Sequence, residues 1–183
     1  MQFIHPKKYP QAMRVLHWTM ALIIIGLIIL GFLMGNVLTD EPYTKDLYFW
    51  HKSFGVLALM LIAIRIGTRY TLRDKIPALS TMMKKYELVA AKLGHVLLYV
   101  FMVIAPASGY LMSSAYSKSS GILFFGLKLP DAIPKNDVLA HFFTSVHVVS
   151  AYILAALIVG HVAAVVKHRY FGKHRENLLK RIW

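Results

Sequence analysis

Four long apolar stretches constrain this chain more than any other feature. They run from Val15 to Thr39, from Leu47 to Ile64 with only Lys52 as a charged interruption, from Leu93 to Tyr116, and from Val138 to Val166. A helix needs about 20 apolar residues to cross a hydrocarbon layer roughly 30 Å thick. Inside that layer only helices and closed barrels satisfy their own backbone. The pattern therefore predicts an all-α integral membrane four-helix bundle, with spans at about 15–37, 47–68, 91–114 and 138–166 in a single domain over 1–183. Lys52 lies near the start of the second run, where its long stem can snorkel to the interface. The first run follows a basic start, as a signal peptide would. It is too long for one, and no small-residue cleavage site follows Gly35 and Asn36, so it is read as a retained helix.

The formal charge of +13 would suit a nucleic-acid binder, but the cations fall in blocks between apolar runs. Such blocks suit the anionic cytoplasmic face of a membrane, and no nucleic acid partner is implied. Three Lys/Arg precede the first run, seven (Arg65 to Lys92) join the second and third, and six follow the fourth, whereas the other two loops share five. The positive-inside rule then places both termini in the cytoplasm. Turn signals mark the opposite loops: Asp40-Glu41-Pro42, and Gly121, Gly126, Pro130 and Pro134. Asn136 or Asp137 is placed to cap the fourth helix. Residues Pro77 to Ala91 are read as a short interfacial helix.

The chain has no cysteine, which excludes disulfides, thiolate metal sites, iron–sulfur clusters and covalent c-type haem. It does have nine histidines. Ionisable groups in spanning helices are costly and usually face the bundle interior. His17, His51, His95, His147 and His161 lie in or just inside the runs. His141 faces elsewhere, and His5, His168 and His174 are read as solvated.

His147 and His161 stand fourteen residues apart, close to four helical turns, so they share a face about 21 Å apart. One lies near each membrane surface, and each needs a partner at its own depth. His51 opens the second helix on the outer side and matches His147; His17 opens the first on the inner side and matches His161. Two pairs of imidazoles at two depths suit two bis-histidine haems b, with the four histidines as ligands of haem iron. Gly55 and Ala151, each four residues after a histidine, leave room for a porphyrin. Arg65 and Arg69 lie at the inner end of the second helix, where guanidinium groups could hold haem propionates. Their alternative is ordinary positive-inside loop charge. His95 stays open: it could compete with His17 for His161, or hydrogen-bond a propionate or a quinone. Lys52, beside the outer ligand, is either a snorkelling residue or a donor-side charge for an anion.

These residues carry a family resemblance. Leu16-His17-Trp18, His51-Lys52-Ser53-Phe54-Gly55, Arg65 with Arg69, Leu93-Gly94-His95, then Pro106, Ser108 and Gly109, Phe125-Gly126-Leu127 through Pro130, and His147 with His161 occur in order along nearly the whole chain. The set resembles the bacterial cytochrome b561 family, related to the cytochrome b subunits of hydrogenases and formate dehydrogenases. The resemblance implies two non-covalent haems b on His17, His51, His147 and His161, and quinone-linked electron transfer in a respiratory membrane. It also implies that superoxide, oxidised on the periplasmic side, is a possible donor, which would make the protein an oxidoreductase of the superoxide:quinone type. Two other readings are carried: a haem-bearing anchor subunit of a larger dehydrogenase, and a histidine-based metal or proton transporter. The transporter would need polar groups at mid-membrane, where the runs offer little beyond Ser108.

Overall fold

The computed structural model describes residues 8–38, 41–77, 84–119, 121–171 and 181–183. Helix α1 spans Gln11–Asn36, α2 Thr44–Thr71, α3 Lys85–Ala115 and α4 Asp137–Tyr170. All four are long and apolar enough to cross a membrane. At 1.5 Å per residue even the shortest, with 26 residues, reaches about 39 Å, beyond the hydrocarbon core. Each helix begins before its apolar run, and α2 and α4 also continue beyond theirs, because polar ends can extend into the headgroup region.

Local chemistry sets the ends. Pro10, which cannot donate, precedes α1. The α1–α2 turn is tied by the Thr44 hydroxyl, which donates to the carbonyls of Leu38 at 2.8 Å and Glu41 at 2.6 Å. Asn136 is the N-cap of α4, its side chain accepting from the Leu139 N–H at 3.1 Å. Asp137 follows in the first turn, and Lys167, His168 and Arg169 close the last, matching the helix dipole at both ends. The expected short interfacial helix is corrected. Residues 85–91 form the first turns of α3, which starts where the Lys84 N–H donates to Glu87 Oε2 at 3.2 Å. No proline or glycine interrupts 85–93, so the helix simply continues inward; residues 78–83 lie outside the described part.

Helices adjacent in sequence pack side by side, whereas α1 and α4 scarcely touch. The core is a thin seam of Met20, Ile24, Ile62, Ala105 and Leu154. Large apolar side chains such as Leu22 and Val159 point outward, as lipid-facing residues should. Small residues line the seams between helices, among them Ala58, Ala105, Ala140 and five buried serines.

The α3–α4 connection holds an element that turn residues alone did not announce. Strands β1 (Ile122–Phe124) and β2 (Leu127–Leu129) pair antiparallel around a two-residue turn. Phe125 and Gly126 both have positive φ, 47° and 94°, as a tight hairpin of this twist requires. At the other end of the bundle, Tyr9 and Trp18 meet residues 181–183. The Tyr9 N–H donates to the Arg181 carbonyl at 2.9 Å, the Trp18 indole donates to the Ile182 carbonyl at 3.1 Å, and the Trp18 and Trp183 rings meet edge to face.

Candidate functional site

The fold brings the histidines together in two places. His51 on α2 faces His147 on α4, with ring centres 6.1 Å apart. His17 on α1 faces His161 on α4, with ring centres 6.4 Å apart. His95 on α3 also approaches His161, more closely, at 5.3 Å. An imidazole nitrogen sits about 2 Å from a first-row metal, so two axial rings on one iron lie roughly 6 Å apart centre to centre. The His51–His147 and His17–His161 spacings fit that requirement, and the His95–His161 spacing falls short of it.

The His51–His147 site is shaped by glycine. A Cβ at Gly31 on α1 would come within 3.1 Å of the His51 ring, and one at Gly109 on α3 within 3.0 Å of the His147 ring. Each imidazole thus approaches a neighbouring helix closely, in a space that a Cβ would crowd. The His147 Nδ1–H donates to the Ala105 carbonyl at 2.7 Å. This bond fixes the tautomer and leaves Nε2 with a free lone pair, the arrangement a metal ligand needs. The Nδ1 of His51 is buried with no partner. Both rings open onto a cleft also lined by Lys52, Gly55, Tyr110 and Ser113. A Cβ at Gly55 would meet no atom within 4 Å, so this position does leave room.

The hairpin roofs this end. The Ser53 hydroxyl, wholly buried, donates to the Leu123 carbonyl at 3.0 Å and accepts from the Phe125 N–H at 3.2 Å. Phe125 packs edge to face on Trp50 and Phe54 of α2. The Tyr110 hydroxyl donates to the Pro130 carbonyl at 2.7 Å and holds the far side of the connection to α3.

The His17–His161 site is shaped by charge. Arg65 of α2 places Nη2 3.2 Å from His17 Nδ1 and donates from Nε to the Tyr99 hydroxyl at 3.1 Å, while its Nη1 is buried without a partner. Arg69 is exposed and stacks over the same Tyr99 ring. A guanidinium only donates, so His17 Nδ1 accepts and its proton resides on Nε2. For Nε2 to bind a metal, that proton must move to Nδ1 and Arg65 must turn away. The guanidinium would then be free for a carboxylate, as its orphaned Nη1 already is. His95 is exposed, and its Nδ1 donates to the Ala91 carbonyl of its own helix at 2.6 Å.

Of the remaining histidines, His141 is exposed on α4, and His168, in the last turn of that helix, is half-buried rather than solvated. His5 and His174 lie outside the described residues. Gly31, Tyr99 and Ser113 were not singled out from sequence. For Gly31 the available signal was a glycine within a helical apolar run, a position that usually has a packing reason.

The sequence pattern described as prokaryotic cytochrome b561 matches residues 8–183. The chain belongs to that family. It is therefore a multi-pass membrane protein of electron transport, and the family implies haem b. Cytochrome b561 homolog 2 of Escherichia coli (strain K12) is 28% identical over 179 residues, covering 97% of this chain and 92% of that protein. A probable superoxide oxidase, CybB of Yersinia pestis, is 27% identical over 180 residues, covering 96% of each. The facing imidazole pairs lie on helices long and apolar enough to contact lipid.

Proposed function

We propose that this cytochrome b561 carries two haems b and passes electrons through the membrane from an outer one-electron donor to quinone. The observation that carries the reading is the pair of facing imidazole sets at 6.1 and 6.4 Å, on residues 147 and 161 of one helix. His51 and His147 hold the outer haem, and His17 and His161 the inner. His95 stands beside the inner pair without replacing His17, because its ring is too close to His161 for an iron between them. When bound, the haem supplies reversible one-electron oxidation and reduction. The protein's part is to fix depth, orientation and charge. Gly31 and Gly109 seat the outer rings, the Ala105 carbonyl holds the His147 tautomer, and Arg65 with Arg69 offers cations to inner carboxylates.

The donor is an anion such as superoxide. The likeness to the Yersinia protein supports this, as does Lys52, which lines the outer cleft. Two superoxide anions would yield two molecules of dioxygen, and one quinone would take the two electrons with two protons. The Lys/Arg asymmetry supports cytoplasmic termini in a bacterial inner membrane.

Haem counting tests the reading. The purified protein should hold two low-spin haems per chain. His51→Ala or His147→Ala should lose one, and His17→Ala or His161→Ala the other. A single haem in the unaltered protein would overturn the two-site reading. Loss of a haem in His95→Ala but not in His17→Ala would reassign the inner pair. A cytoplasm-only fluorescent reporter should light up when fused after Trp183 and stay dark beside Ser119; the reverse would invert the orientation.

A further inference from the structure

Among the described residues five serines are buried in the bundle, and four have their hydroxyls engaged. Ser53 holds the hairpin, Ser108 donates to its own helix, Ser114 accepts from the Ala132 N–H, and Ser150 donates to the His147 carbonyl. Ser113 differs. Only 5% of it is exposed, and its Oγ has no partner. A buried hydroxyl without a hydrogen bond is destabilising, so its persistence asks for a ligand. Ser113 stands one turn after Gly109 on α3, on the helix face that borders His147, and it lines the outer cleft.

Lys52 lines the same cleft. It is half-buried, and among the described residues no carboxylate pairs with it. A second cation, Lys135, lies near it. Lys135 is itself engaged by Asp131 and the Ser114 carbonyl, each at 2.9 Å. The Tyr110 hydroxyl spends its proton on Pro130. Besides the unpartnered imidazole of His51, the donors left free in the cleft are one ammonium and one hydroxyl. A desolvated cation and an O–H donor in one cleft suit an oxyanion, since charge-assisted hydrogen bonds are the strong ones.

We propose that Lys52 and Ser113 form an oxyanion site at the rim of the outer cleft, with Ser113 as the second donor. The inference rests on His51 and His147 being the outer haem pair. Two sources share the chemistry. The oxyanion is either a propionate carboxylate of that haem or a small anionic donor such as superoxide arriving from water.

The test uses the purified holoprotein with Ser113→Ala, Lys52→Gln and the double variant, each first shown to keep two haems per chain. If a propionate is held, Ser113→Ala removes a hydrogen bond to it. The outer haem's midpoint potential then falls while the inner haem's stays, and outer-site haem affinity weakens about tenfold. If a free anion is held, both potentials stay in Ser113→Ala. The rate of haem reduction by superoxide then falls about tenfold, and in Lys52→Gln its decrease with added salt is also lost. Ser113→Ala with unchanged potentials, haem affinity and superoxide rate overturns the site. Failure of the two-haem reading is distinguishable, because it would appear as a missing haem in the unaltered protein.

Discussion

His147 and His161 share one helix and one face, yet their surroundings are built on opposite principles. Around His147 the device is absence of bulk: Gly31 and Gly109 let two imidazoles lie against neighbouring backbones, a carbonyl fixes the tautomer, and a hairpin closes the end. Around His161 the device is charge: a third imidazole, two guanidinium groups and a tyrosine crowd the pair, and Arg65 holds His17 in the tautomer with its proton on Nε2. On the proposed two-haem reading, the His147 end keeps its hydrogen bond when it takes up a ligand, whereas the His17 end exchanges one hydrogen bond for another. Preorganisation by shape leaves little to rearrange. Preorganisation by charge couples binding to a switch of partners.

The largest effect that would break this contrast comes from filling the glycine seats. Gly109→Val or Gly31→Val should overpack the outer pair by about 1–3 kcal/mol. Outer haem occupancy should drop below half, with the inner haem intact in a visible spectrum. Gly26→Ala, where a Cβ meets nothing within 4 Å, should change neither. Equal loss of both haems in Gly109→Val would mean that the two ends are not independently built.

A smaller effect belongs to the inner end. Arg65→Leu should weaken inner haem affinity about tenfold, as loss of a charge-assisted hydrogen bond would, and Arg65→Lys should restore only part of it. His95→Ala should shift inner affinity less than either. An outer potential that moves as far as the inner one in Arg65→Leu would erase the distinction. The smallest effect concerns the roof. Ser53→Ala removes two hydrogen bonds to the hairpin and should cost about 1 kcal/mol. Amide exchange at Leu123 and Phe125 should quicken about fivefold, with both haem contents unchanged.

What could be read from the sequence follows from how far each signal reaches along it. Four spans, the Asn136 cap and the shared face of His147 and His161 are local or periodic properties, and the chain states them directly. Depth matching brought His51 to His147 and His17 to His161, the pairs that face each other here. It did not separate His17 from His95, because both open helices at the same end; a difference of about an ångström in ring spacing between helices has no trace in spacing along one. Gly31 meets His51 across an interhelical seam, and no period links the two positions. The strands of the hairpin are three residues each, too short for alternation to register. Arg65 was placed at the correct end, but its grip on His17 depends on how α1 and α2 lean together.

The meeting of Trp18 with Ile182 and Trp183 sets an order of assembly. The two ends of that hydrogen bond are 164 residues apart in the chain. At a synthesis rate of about 5–20 residues per second, a ribosome delivers Ile182 on the order of 10–30 seconds after Trp18. Gly31, His51 and Gly109 have emerged by then, and the hairpin that roofs them precedes α4. A nascent chain therefore completes its roofed end first and keeps the His17 end unclasped until Ile182 and Trp183 have emerged.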